Sequence, residues 1–213
     1  PVKWLSRMLI TMKKDGSPWR IIDYKKLNNA IPRQTNITKS PFLCASDCPP
    51  GKKKSILDAK DGYHSVVLEK GESRAVTEFL CEFGRYRCIG SGQGLICSGD
   101  AYTHRFDNIT SKFQNVTRCV DDSLLWEDDI KTSFDLVCRY LTTCSRGGIN
   151  FNRQKFKFAE DIVEYVGFTL TSDAIKVSAS MTESIRNFPS PKNITQARAF
   201  FGLIEQVSWA FSK

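Results

Sequence analysis

The chain has 213 residues, 41% of them hydrophobic, which is enough for a buried core in one large domain or two small ones. Lys and Arg number 31 against 23 Asp and Glu, and the formal charge of +8 favours a polyanionic partner, either nucleic acid or an anionic membrane surface. Apolar runs such as Ser123-Leu124-Leu125-Trp126 fall far short of the ~20 apolar residues of a spanning helix, and the cysteines form neither a CxxC zinc pattern nor a dense disulfide framework.

In chain order, Arg7 to Met12 and Trp19 to Tyr24 are β-rich runs on either side of Lys13-Lys14-Asp15-Gly16-Ser17-Pro18, which predicts a hairpin with a basic tip. Residues 28–54 hold Pro32, Pro41, Pro49 and Pro50 and end in Gly51-Lys52-Lys53-Lys54, so an irregular connection with at most a short helix is expected, its lysines on a solvated face. Ser55-Ile56-Leu57-Asp58-Ala59 reads as a short buried strand that delivers an aspartate near its end. Further strands are expected at Val66 to Leu68, Ala75 to Leu80 and Tyr86 to Ile89, before glycines at 90, 92 and 94. Helical periodicity follows from Ser98 to Ile109, with Ala101, Tyr102, Arg105 and Phe106 available for one face.

Thr117 to Val120 and Ser123 to Trp126 flank Asp121-Asp122, which predicts two strands joined by a tight acidic turn. Residues 130–146 place Phe134, Val137, Leu141 and Cys144 at helical spacing, and Gly147-Gly148 is a helix stop. After the basic and aromatic stretch from Phe151 to Phe158 comes a strand pair, Ile162 to Val166 and Phe168 to Leu170, around Gly167. The last stretches, Thr182 to Phe188 and Thr195 to Phe211, are amphipathic helical patterns, the second capped by Asn193 or Thr195. The pattern breaks off inside the apolar run Trp209-Ala210-Phe211, so a piece of a longer chain is expected.

Two-metal phosphoryl transfer needs carboxylates that hold two divalent cations roughly 3.5–4 Å apart. Magnesium takes hard oxygen ligands, a few carboxylates together with phosphate oxygens and water. Asp58 at a strand end and Asp121-Asp122 at a hairpin tip form such a set if their strands are neighbours in one sheet. Ordinary turn chemistry is the competing explanation, because Asp is common in turns.

The order of the motifs adds to this. Lys13 to Arg20 with Asp23-Tyr24-Lys25-Lys26-Leu27-Asn28, Leu57-Asp58-Ala59-Lys60-Asp61-Gly62-Tyr63, Gln93-Gly94, Cys119-Val120-Asp121-Asp122 and Glu164-Tyr165-Val166-Gly167-Phe168 follow one another from about Trp4 to Phe211. In that order they resemble the fingers hairpin, the palm motifs, the Asp-Asp box and the primer grip of reverse transcriptases from gypsy-type LTR retrotransposons and their retroviral relatives. The resemblance implies an α+β right-hand polymerase fold, with fingers and palm over residues 1–175, fingers mainly 1–31 and 68–92, and a primer-grip exit and partial thumb over 176–213.

It implies an RNA-directed DNA polymerase that adds dNTPs to a primer 3′-OH on an RNA or DNA template with two Mg²⁺ ions, Mn²⁺ being an alternative. Asp58 and Asp121 would hold the metals with the Ala59 carbonyl, and Asp122 would complete the acidic site. Lys13 and Arg20 would neutralise the triphosphate, a point charge and a forked guanidinium respectively. The amides of Asp61 and Gly62 would cradle phosphate, and Tyr63 would lie under the sugar and reject a 2′-hydroxyl. Gln93 would touch the sugar or template, Lys155 would give a proton to pyrophosphate, and Val166-Gly167 would position the primer end. Each also has a plainer explanation, solvated hairpin cations for Lys13 and Arg20 and a core aromatic for Tyr63.

Two positions depart from the pattern, Cys119 where an aromatic residue is usual and Gly92 where a proline commonly precedes Gln-Gly. The implied partners are a template-primer duplex, dNTP and a longer polyprotein with RNase H and integrase, with no membrane association and a cytoplasmic particle, or the nucleus, as location. Two further readings are a degenerate copy that binds nucleic acid without catalysis, which retention of all three aspartates opposes, and a two-metal nuclease, which would not need the basic hairpin.

Overall fold

The computed structural model describes residues 4–13, 16–33, 35, 36 and 38–210. Lys14 and Asp15 of the basic hairpin tip and Phe211 of the final helical pattern lie outside them. The elements are β1 (Ser6–Met12), β2 (Pro18–Asp23), α1 (Lys25–Asn28), α2 (Pro41–Ser46), β3 (Lys53–Lys60), α3 (Glu72–Ala75), β4 (Phe79–Cys81), β5 (Gly84–Tyr86) and α4 (Ser98–Thr110). They continue as β6 (Val116–Cys119), β7 (Asp122–Glu127), α5 (Ile130–Arg146), β8 (Asn150–Phe151), β9 (Lys157–Glu160), β10 (Val163–Tyr165), β11 (Phe168–Leu170), β12 (Ile175–Val177), α6 (Ala179–Arg186) and α7 (Ile194–Glu205). The chain divides into two compact units, residues 1–37, 61–111 and 144–150 in the first and 38–60, 112–143 and 151–213 in the second.

In the first unit the sheet order is β2-β1-β4-β5, with β1 antiparallel to β2 and parallel to β4. Its core gathers Ile22, Tyr24, Leu27, Phe79 and Leu95, and α4 buries Tyr102 and Phe106 while Ala101, expected on the same face, is exposed. Three expected strands are corrected here. Val66 to Leu68 makes only the single bridge Val67–Gly90. Residue 75 ends the one-turn helix α3, and strand structure starts only at Phe79. The Thr77 hydroxyl donates to the Arg74 carbonyl at 2.8 Å and accepts the Cys88 amide at 3.2 Å, so a side chain takes the bond that a strand ladder would have used at 88. Accordingly β5 ends at Tyr86.

In the second unit β3 is flanked by β7 and β9, both antiparallel to it, and β6 pairs with β7 as the expected acidic hairpin. Ser40 caps α2, its hydroxyl accepting the Leu43 amide, and Pro41 stands at the first helical position where its missing N–H costs nothing. A three-stranded antiparallel sheet, β10-β11-β12, closes the same core, which joins Cys44, Ala45, Ile56, Leu124, Trp126 and Phe168. Helix α5 spans the expected range, and Val137 and Cys144 are buried as expected, with Leu141 half-buried, but the stripe is completed by Ser133, Leu136 and Tyr140 in place of Phe134. Phe134 stays 58% exposed and packs only edge-on against Phe158.

The lysine run is also corrected. Lys54 lies inside β3 and is 1% exposed, its ammonium donating to the carbonyls of Lys52 and Asp161 at 2.9 Å each, so the buried charge is hydrogen-bonded. Asn193, one of the two expected caps, accepts the Gln196 amide at the start of α7. Among the described residues no helix is long and apolar enough to cross a membrane.

Candidate active site

The antiparallel pairing of β3 with β7 sets Asp58 directly opposite Asp122. Directly opposed residues in such a pair have Cβ atoms about 4.5–5.5 Å apart, a spacing at which two carboxylates repel. Burial first, and then the facing Asp58, push the Asp122 carboxyl above its ordinary range; Asp121 adds to this and Lys155 partly offsets it. Lys155 Nζ lies 2.7 Å from Asp58 Oδ2, and that bond raises the lysine's own pKa, with Asp122 and Asp121 contributing. A cation therefore already sits against the carboxylates, in the form of a protein ammonium.

The turn that carries Asp121 has a particular backbone. Cys119 pairs with Asp122 across the hairpin, leaving Val120 and Asp121 as a two-residue loop. Val120 has φ 54° while Asp121 is not among the positive-φ residues, the type II′ pattern. A β-branched residue there is strained by roughly 1–3 kcal/mol and persists only where neighbours hold it. Four contacts do so. The Arg118 guanidinium donates to the Val120 carbonyl, and the Ala59 amide to the Asp121 carbonyl at 2.9 Å. The buried hydroxyl of Tyr165 donates to the Asp122 carbonyl at 3.1 Å, and that of Tyr140 to Ser123 Oγ at 2.9 Å. On the β3 side, the Asn152 amide donates to the Asp58 carbonyl at 2.8 Å.

Tyr165 is also the last residue before the Val166-Gly167 turn, where Tyr165 pairs with Phe168 and both loop residues have positive φ, 43° and 91°. That is the type I′ combination, again with a valine where asparagine or glycine is usual. One side chain thus links the expected primer-end turn to the acidic turn.

Among the described residues no three His, Cys, Asp or Glu side chains converge closely enough to hold an ion unaided. The donors nonetheless suit a hard cation: carboxylate oxygens on opposed strands, mutual repulsion that a cation relieves, and an ammonium standing in for one. An ion here would complete its shell from substrate phosphate oxygens and water.

The first unit holds a cavity of about 460 Å³ whose lining includes Lys13, Arg20, Asp61 and Gln93, four of the expected nucleotide-binding residues. Trp19 and His64 line it as well, and neither was singled out from sequence. Trp19 Nε1 donates to Gln93 Oε1 at 3.0 Å, which fixes the Gln93 side chain. Read from sequence, Trp19 is one more apolar strand residue, and only its pairing with a residue 74 positions away distinguishes it. Arg20 also stacks its guanidinium 5.5 Å over the Phe79 ring.

Asp61 adopts φ 54° and opens the 3-10 turn Gly62–Ser65. Gly62 is buried against Tyr102, where an added Cβ would come within 2.5 Å of the ring. Tyr63, half-buried, packs edge-on against the same Tyr102 at 5.6 Å, and neither it nor Gly62 lines the cavity. Arg105 ties the turn down through Ser65 Oγ at 3.0 Å, whose hydroxyl donates to the Gly62 carbonyl at 2.6 Å. Gly92 has a local reason too, since a Cβ there would sit 3.1 Å from the buried Tyr24 ring, tighter than ordinary contact.

The model of the family described as reverse transcriptase (RNA-dependent DNA polymerase) matches residues 12–170. The chain belongs to the reverse transcriptase family. It is 28% identical over 192 residues to the retrovirus-related Pol polyprotein of transposon gypsy from Drosophila melanogaster, covering 86% of this chain and 18% of that protein. Against the Pro-Pol polyprotein of simian foamy virus type 1 it is 24% identical over 193 residues, covering 90% of this chain and 17% of the relative. The chain thus spans less than a fifth of the polyproteins it matches. Among solved structures it resembles a foamy viral protease-reverse transcriptase in complex with double-stranded DNA, with TM-score 0.84 at 18% identity over 95% of this chain and 36% of that one. The same viral enzyme in complex with an RNA/DNA hybrid gives TM-score 0.79 at 17% identity, over 95% of this chain and 27% of that one. The α+β right-hand polymerase fold expected from the motifs is the fold observed, and reverse transcriptases as a family work with divalent metal ions.

Proposed function

We propose that the chain is the polymerase core of a gypsy-type retroelement, an RNA-directed DNA polymerase that extends a primer 3′-OH with dNTPs. The observation that carries this is the β3–β7 register, which brings Asp58 opposite Asp122 and hangs Asp121 on the strained turn beside them. Asp58 and Asp121, with the Ala59 carbonyl, would hold two Mg²⁺ ions and Asp122 would complete the acidic site. The ions would lower the pKa of the attacking hydroxyl and stabilise the leaving oxygen. The protein's own part is positional. The Tyr165, Tyr140 and Arg118 contacts hold the acidic turn without side-chain freedom, so little reorganisation remains when substrate arrives.

Lys13 and Arg20 would bind the triphosphate, Gln93 the sugar or template, and the Asp61 and Gly62 amides phosphate oxygens. Tyr63 would exclude a 2′-hydroxyl, held in place by Tyr102. Val166-Gly167 would seat the primer end, and residues 176–213 would form the beginning of a thumb that tracks the duplex by shape and phosphate charge. Lys155 would protonate the leaving pyrophosphate. While bonded to Asp58 its raised pKa makes it a poor proton donor, and engagement of Asp58 by another cation would free it. The partners that follow are a template-primer duplex, dNTP and the remaining domains of a polyprotein in a cytoplasmic or nuclear particle.

Extension of a DNA primer on an RNA template with dNTPs and Mg²⁺ tests the proposal. Template-directed addition is expected, and a folded protein that binds the duplex without adding a nucleotide would overturn it.

A further inference from the structure

Helices α6 and α7 hold no buried residue of their own, so their two roots are what fix them. Both roots reach the hairpin that carries Val166 and Gly167. Beyond α7, Trp209 stacks on Phe42 at 4.3 Å and packs edge-on against Phe168 at 5.8 Å. At the start of α6, the Ser178 amide donates to the Gly167 carbonyl at 3.0 Å. The Ser178 hydroxyl, in a residue 1% exposed, accepts the Met181 amide at 3.2 Å and caps the helix. This first turn sets half-buried Met181 against Gly167. A Cβ added to Gly167 would come within 2.8 Å of Met181 Cε, so the methyl fills the space that any side chain at 167 would need.

The turn needs such support. Val166 is β-branched at φ 43°, a strained conformation that persists only where its neighbours hold it. We propose that Met181 is a positioning residue for the primer end: it holds the Val166-Gly167 turn in its strained form and couples α6 to it. The role in primer seating rests on the polymerase reading above. Methionine suits the position because its unbranched thioether fills a narrow gap that a branched residue fits less closely and alanine leaves empty.

Two consequences follow. The stretch that would track the duplex is the one that fixes the primer turn, so engagement of the duplex and seating of the 3′-OH are joined through α6. The same turn passes its position to the acidic strand, because Tyr165 precedes it and donates to the Asp122 carbonyl at 3.1 Å.

The test compares Met181→Ala and Met181→Leu with wild type in the whole chain. Met181→Ala should add a single nucleotide about tenfold more slowly at saturating primer-template, with KM for dNTP unchanged, while Met181→Leu, which keeps an apolar contact with Gly167, stays within about twofold of wild type. In hydrogen–deuterium exchange without nucleic acid, the peptide 163–170 should exchange at least about threefold faster in Met181→Ala. Unchanged exchange overturns the proposal, as does an unchanged rate in an active protein or an equal rate loss in the alanine and leucine variants. A wild type that adds no nucleotide counts against the polymerase reading, and exchange of the peptide then decides by itself whether Met181 holds the turn.

Discussion

Tyr165→Phe removes one oxygen atom from a side chain that is 2% exposed, and leaves the ring in the core it fills. The bond lost is the 3.1 Å donation to the Asp122 carbonyl. A net hydrogen bond of this kind contributes about 0.5–1.5 kcal/mol, so a loss of about 1 kcal/mol in unfolding free energy is expected. Burial pushes the Tyr165 hydroxyl upward, so it stays a donor at any working pH. The rate effect comes from the turn. With one of its four restraints gone, the Val120-Asp121 loop can relax toward less strained backbone, and nucleotide addition should fall about tenfold, the equivalent of about 1.4 kcal/mol.

Denaturant unfolding and single-nucleotide addition, run beside Tyr140→Phe, measure both effects. Tyr140→Phe loses the 2.9 Å bond to Ser123 Oγ, a side-chain acceptor one residue further from the turn, and should cost similar stability with a smaller loss of rate. A Tyr165→Phe protein with unchanged stability and unchanged rate would refute the claim that this hydroxyl holds the turn. Equal rate losses in the two variants would show that the position along β7 does not matter.

Other outcomes follow from the same geometry. In metal-free buffer the folded state binds the Asp122 proton more tightly than the unfolded state, so stability falls as pH rises from below the ordinary carboxylate range through the raised pKa. Asp122→Asn escapes that loss and should unfold at neutral pH at a higher temperature than wild type in chelator; added Mg²⁺ should stabilise the wild type more than the variant, and thermal scans check both. Trp19→Phe frees Gln93 and should raise KM for dNTP about two- to tenfold at constant kcat, the worth of one hydrogen bond, in steady-state kinetics. Gly62→Ala should cost about 1–3 kcal/mol because the new Cβ meets the fully buried Tyr102 ring, and less than that in a Tyr102→Leu background, as a double-mutant cycle would measure.

Much of the local structure was legible because it is encoded locally. The acidic hairpin at 116–127, helix α5 at 130–146 and the Asn193 cap depend on turn residues, apolar spacing and capping that lie within a few positions of one another. The segments that misled the sequence reading depend on distant partners. Residues 75–78 look like strand, but Gly71 and the Thr77 hydroxyl bend them into a turn, and Lys54 looks solvated until the carbonyl of Asp161, over a hundred residues away, is seen to accept its ammonium. The site divides in the same way. The three aspartates could be named from sequence, and the residues that hold them, Tyr165, Tyr140, Arg118 and Asn152, could not, because each reaches the carboxylate strands or the turn through a bond that no motif spacing encodes.

The most direct test of the account is the rate of single-nucleotide addition to a DNA primer on an RNA template, comparing wild type with Asp121→Asn at saturating Mg²⁺ and dNTP. A loss of at least about 100-fold, or about 2.7 kcal/mol of transition-state stabilisation, is expected for Asp121→Asn, with thermal stability and duplex affinity unchanged. Addition at the wild-type rate by the Asp121→Asn protein would contradict it.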